Sequence, residues 1–138
     1  MIEINRQNYK QYHNKENMFF DSVHDDYLQN MSVDYFNKSI CLLCEKTFPQ
    51  NKKYQMIFHD FIFMNCTGVD FWGQDNRFYD MAIEAKEEKF KSYLISCDAL
   101  EKEPVKYYAA KDYILVWLGF MSGDAMNIIC KKITMRSL

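Results

Sequence analysis

The chain has 138 residues, 49% of them hydrophobic, 17% aromatic and 26% charged, with a formal net charge of −2. Only 4 glycines and 2 prolines occur, which excludes collagen-like, linker-rich and low-complexity chains. The length suits a single domain over 1–138 with one core, and the absence of a basic excess argues against a nucleic acid partner.

Residues 1–17 are polar and show no clear period. They read as an N-terminal arm, or as a short helix around Asn8 to Asn14. No apolar stretch follows Met1, so no secretory signal is expected. From Tyr27 the pattern has period two, with Tyr27, Gln29, Met31, Val33 and Tyr35 on one face. Asn37-Lys38 reads as the next turn, because Asn tolerates positive φ. A second strand runs from Ser39 to Phe48, with Ile40, Leu42, Cys44 and Phe48 inward.

Tyr54 to Met64 is apolar at nearly every position. It reads as one central strand covered on both faces, or one bent by a bulge near His59-Asp60. Asn65 to Asn76 is a loop carrying Phe71 and Trp72. Arg77 to Lys86 alternates again, with Tyr79, Met81, Ile83 and Ala85 together. Glu87 to Leu100 fits either a strand or a helix, and a short helix is favoured through Phe90, Tyr93, Leu94 and Cys97. Strand signals close the chain at Val105 to Ala109, Tyr113 to Met121 and Met126 to Thr134, with Ser122-Gly123-Asp124 as the last hairpin turn.

The expected fold is therefore mainly β. About seven strands form an antiparallel meander, a sandwich or partly open barrel, with at most one or two short helices. Tyr113 to Met121 is apolar on both faces, so its second face needs a cover: the short helix, the arm or another subunit. That run is also the longest strongly apolar one. It is far short of the ~20 residues a helix needs to span a bilayer, so the expected location is the cytoplasm, with no membrane partner.

The five cysteines are Cys41, Cys44, Cys66, Cys97 and Cys130. Their odd number fits reduced, mostly buried thiols. Cys41-Leu42-Leu43-Cys44 spells a metal or redox spacing. On a strand, however, residues three apart point to opposite faces, so no zinc knuckle or thioredoxin-type site is expected there. The titratable residues offer one polar cluster: Asp21, His24, His59 and Asp60. His24 lies in an acidic turn, and no second histidine stands at ligand spacing. His59 and Asp60 lie inside an apolar strand and must find partners there, more simply as a structural bulge than as an acid–base pair. No Gly-x-Ser-x-Gly, Gly-rich phosphate loop or calcium loop occurs, so neither catalysis nor a cofactor or metal is expected.

The loop Val69-Asp70-Phe71-Trp72-Gly73-Gln74-Asp75 is the strongest binding candidate. Phe71 and Trp72 would anchor a partner, while Asp70 and Asp75 would form a polar rim. The competing reading folds Trp72 back to plug one end of the sandwich. Trp117, in mid-strand, reads as core.

Phe20-Asp21-Ser22, the Phe71-Trp72-Gly73 loop and the closing hairpin with Ile128-Ile129-Cys130 give the chain a resemblance. Over residues 18–134 it resembles small all-β bacterial proteins, some grouped with the immunity proteins of polymorphic toxin systems. Those families usually read Phe-His-Asp-Ser at the start, whereas here Phe19-Phe20-Asp21-Ser22 lacks that His and His24 follows. The resemblance implies a cofactor-free cytoplasmic binder of a protein, a toxin in the immunity case. The leading expectation is thus a non-catalytic protein-binding module. The alternatives are a small-molecule-binding or metal-dependent β-sandwich enzyme using the polar cluster, and a structural homo-oligomer, such as a homodimer, joined through Tyr113 to Met121 or an edge strand.

Overall fold

The computed structural model describes residues 1–12, 23–47, 51–67, 75–86, 88–90 and 112–138. Among these residues nine strands form: β1 (Ile2–Asn5), β2 (Tyr27–Asp34), β3 (Ser39–Lys46), β4 (Lys52–His59), β5 (Phe63–Cys66), β6 (Phe78–Glu84), β7 (Ile114–Phe120), β8 (Ala125–Cys130) and β9 (Lys132–Ser137). They make two open antiparallel sheets, ordered β1-β9-β4-β3-β2 and β5-β8-β7-β6. A 3-10 turn at Tyr9–Tyr12 follows β1. No helix of seven or more residues is present among the described residues. The all-β expectation holds, and the architecture is a sandwich of open sheets.

One core fills the space between the sheets. Ile4, Ile40, Leu42, Met56, Phe58 and Ile133 come from the first sheet; Phe78, Met81, Ile83, Val116, Leu118 and Ile128 come from the second. All are essentially inaccessible to solvent. Alternation explains the selection. On β3 the even positions Ile40, Leu42 and Cys44 point inward and the odd ones outward. Cys41 and Cys44 therefore lie on opposite faces, half-buried and buried, both as free thiols. Burial pushes the Cys44 thiol up to about 12.

Several sequence expectations shift in register or extent. The N-terminal segment does not hang as an arm: Ile2–Asn5 pairs with β9, from Ile2 opposite Met135 to Asn5 opposite Lys132. Its anchor is Ile4, which is fully buried. Tyr54 to Met64 is two strands in different sheets. β4 ends at His59, the chain turns at Asp60 with φ 55°, and β5 joins the other sheet. Met126 to Thr134 likewise divides into β8 and β9 around Lys131. The two crossings lie side by side. The Lys131 N–H donates to the His59 carbonyl at 3.0 Å, and the Ile62 N–H to the Ile129 carbonyl at 2.9 Å. A paired ribbon thus bends from one sheet to the other as a unit. Each corner falls at a polar pair, His59-Asp60 and Lys131-Lys132, with apolar residues on both sides of it.

Two bulges change faces in the same way. The β2 register slips between Leu28 and Asn30. Leu28, not Tyr27, therefore shares the inward face with Val33. The β6 register slips between Phe78 and Asp80. Tyr79, grouped inward by strict alternation, stands 56% exposed. A single extra residue flips every later side chain.

The second face of β7 is closed within one chain: Leu115 and its cross-strand partner Ile129 are both buried. Trp117 is only half-buried and lies over Gly119. A Cβ built on Gly119 would come within 2.3 Å and 2.6 Å of the Trp117 ring. Gly119→Ala is expected to push the ring outward and cost about 1–3 kcal/mol by overpacking. A lowered Tm with red-shifted tryptophan emission would show it. The strand expected at Val105 to Ala109 and most of the helix expected over Glu87 to Leu100 lie outside the described residues. Within the latter, Glu88 to Phe90 make one helical turn, and Phe90 is fully buried.

Candidate functional site

The turn that closes β2 onto β3 is the most exposed apolar feature among the described residues. Asp34 and Ser39 are the last paired residues, so Tyr35, Phe36, Asn37 and Lys38 form the loop. Asp34 caps it: its carboxylate accepts from the Asn37 N–H at 3.0 Å and from Asn37 Nδ2 at 2.7 Å. These bonds hold the Asp34 carboxyl below the usual carboxylate range. Lys38 takes the left-handed position at φ 52°. Phe61 braces the loop from the sheet crossing, donating its N–H to the Lys38 carbonyl at 3.0 Å and meeting the Tyr35 ring edge-on at 6.3 Å. On this braced loop Tyr35 is 68% and Phe36 94% exposed. Alternation alone placed Tyr35 inward. The overlooked signal was the Asp34-x-x-Asn37 spacing, which starts the turn one residue after Asp34.

The strand leading to this tip is an edge. β2 ends its sheet. Its first residues are tied down, since Tyr27 bridges to Arg77 and the Leu28 N–H donates to the Asn76 carbonyl at 3.0 Å. Beyond the bulge, Asn30 to Asp34 pair only with β3 among the described residues. A groove of about 410 Å³ runs beside this stretch, lined by Leu28, Gln29, Asn30, Met31, Cys66, Asn76 and Met126. An edge strand offers unpaired backbone donors and acceptors, which is the basis of recognition by strand addition.

The sequence candidates fall in several places. Asp70, Phe71, Trp72 and Asp21 lie outside the described residues. Asp75 is engaged internally. It accepts from the Arg77 guanidinium at 2.9 Å and 2.7 Å and from the Arg77 N–H at 3.2 Å. The guanidinium keeps its carboxyl below the ordinary range.

His24, His59 and Asp60 serve separate structural posts. His24 Nδ1 lies 2.6 Å from the Tyr79 carbonyl, which can only accept, and Nε2 lies 3.6 Å from Asp25. His59 Nε2 lies 2.8 Å from the Thr134 hydroxyl. Asp60 turns the crossing. Among the described residues no three His, Cys, Asp or Glu side chains converge to hold a metal ion.

Partial burial and the neighbouring Lys132 lower the His59 pKa. The unfolded chain therefore takes up the proton first as pH falls below about 6.5. Stability from His59 is complete above that pH and is lost as pH falls towards the folded value. His59→Gln is expected to show a smaller Tm drop than wild type between pH 7.5 and 5.5, by paired thermal scans.

A further polar network was not found from sequence. Asp26 is 3% exposed. Its carboxylate accepts from the Tyr54 hydroxyl at 2.7 Å and from Lys46 Nζ at 3.2 Å. Its carbonyl accepts from the Phe78 N–H at 2.8 Å, while the Asp25 N–H donates to the Phe78 carbonyl at 2.9 Å. This acidic turn therefore joins the two sheets. The two partner side chains are 20 and 28 residues from Asp26, a separation that no local pattern encodes.

In comparisons with known proteins, no family model, no curated protein and no solved structure matches the chain.

Proposed function

We propose that the protein is a non-catalytic protein-binding module, an immunity-type inhibitor that binds a bacterial toxin in the cytoplasm. The observation that carries the binding role is the braced hairpin tip, where Phe36 is 94% exposed on a loop already fixed by Asp34 and Phe61. A large aromatic held in place loses little freedom on binding, so its burial goes mostly into affinity. The free stretch of β2 extends the same surface and offers backbone pairing to an extended segment of the partner. Phe71 and Trp72, with Asp70, are the second candidate contact, on the composition of their segment. No helix among the described residues is long and apolar enough to cross a membrane. The immunity class itself rests on the resemblance of the sequence motifs.

The test is affinity capture from lysate of the native cells with wild type, Phe36→Ala and Trp72→Ala in parallel, read by mass spectrometry. Thermal scans of each variant check the fold. One protein retained by wild type and lost by Phe36→Ala supports the reading. Equal retention by wild type and a folded Phe36→Ala variant would remove the tip from it.

A further inference from the structure

A second cavity, remote in sequence from the hairpin tip, has a different chemistry. It measures about 320 Å³ and opens at the end of the first sheet, at the small end of the ~300–1,000 Å³ typical of ligand pockets. Ile2, Tyr54 and Met135 give it an apolar floor; Lys46, Lys52, Lys53 and Arg136 give it four cations and no acidic lining residue. This concentration of positive charge occurs in a chain whose net charge is −2.

The strand register makes the arrangement costly. Lys46 and Lys52 are direct cross-strand partners on the last rung of β3 and β4. Both continue the inward face of Cys44 and Tyr54. Like charges directly opposite destabilise a sheet. Asp26 offsets the Lys46 charge at 3.2 Å. Lys52 has no ion-pair partner among the described residues, Lys53 stands directly opposite Glu45, and Arg136 is steered by Gln55, accepting from Arg136 Nε at 2.9 Å. Tyr54 donates its hydroxyl to Asp26, so its ring, not its oxygen, is what the cavity receives.

We infer that this cavity binds a small amphiphilic anion, a phosphate or carboxylate head on a short apolar body. The head meets Lys52, with Lys46 behind it, and the body lies on Ile2, Met135 and the Tyr54 ring. The anion balances the Lys52 charge, which Asp26 leaves uncompensated on this rung.

Calorimetric titration with octyl phosphate and octanoate, both below their micelle concentrations, tests this against inorganic phosphate and octanol. At least one amphiphile should bind with 1:1 stoichiometry, about tenfold or more tighter than inorganic phosphate and octanol, and more weakly as salt rises. Comparing the two amphiphiles tells which head is preferred. Lys52→Glu replaces a like pair by an opposite one. It should raise Tm by a degree or two while weakening the amphiphile about tenfold or more. Ile2→Ser, at a site already 40% exposed, should weaken the amphiphile and leave inorganic phosphate unaffected. Octanol binding as well as the charged amphiphiles, unchanged affinity in Lys52→Glu, or no saturable binding at millimolar concentration would each overturn the assignment.

Discussion

Asp26→Ala is expected to cost about 3–5 kcal/mol, the range seen when one partner of a buried charge pair is removed. Two groups lose their acceptor at once. The Tyr54 hydroxyl sits on a residue only 9% exposed. The Lys46 side chain is 28% exposed and can turn partly outward, which puts the expected value towards the lower end. Asp26→Asn separates these contributions. It keeps an oxygen for Tyr54 and removes the charge opposite Lys46, so it should lose about half as much. Chemical denaturation at pH 7 reads both. A domain of this size has roughly 5–15 kcal/mol of total stability, so the alanine variant should unfold at a visibly lower urea midpoint. A midpoint within error of wild type would mean that the network is not closed in solution.

Phe78→Ala should be comparably severe, at about 3–5 kcal/mol. Phe78 is fully buried and stacks on its cross-strand neighbour Phe120, with centroids 5.0 Å apart and planes inclined by 29°. The pair adds about 0.5–1.5 kcal/mol beyond area burial. Its backbone also holds the Asp25-Asp26 turn through two hydrogen bonds, so the two sites should not behave independently. The milder pair Phe78→Leu and Asp26→Asn, alone and together, should give a coupling of about 0.5 kcal/mol or more. Strict additivity would show that the turn keeps its place without the Phe78 ring.

Those two residues also show what was legible beforehand. Period-two burial is a local property: it identified Ile40, Leu42 and Cys44 as inward positions and put Met81 and Ile83 on one face. The turn chemistry of Ser122-Gly123-Asp124 was equally legible: Gly123 sits at φ 91°, and its N–H donates to the Phe120 carbonyl at 2.9 Å. Of the corners and bulges, only a bend near His59-Asp60 was legible, as one of two readings. The crossing at Lys131 and the slips near Gln29 and Tyr79 change face without a local signal. The candidate sites divide in the same way. His24 reads as part of an acidic turn and Asp75 as the polar rim of a binding loop, and the structure gives each a local partner. Asp26–Tyr54–Lys46 and the four-cation cavity are assembled by strand register across the sheet. Tyr35 continues the period-two pattern of the strand, so alternation carries the strand past Asp34, where the structure starts the turn.

The binding role of the hairpin tip is the claim on which the functional account depends. Its most direct test is an equilibrium titration of the captured partner, purified, against wild type and a folded Phe36→Ala variant at one salt concentration. The account predicts a loss of about 2 kcal/mol or more on removing this anchor, roughly thirtyfold in Kd. An unchanged Kd would contradict it and move the binding surface away from this hairpin.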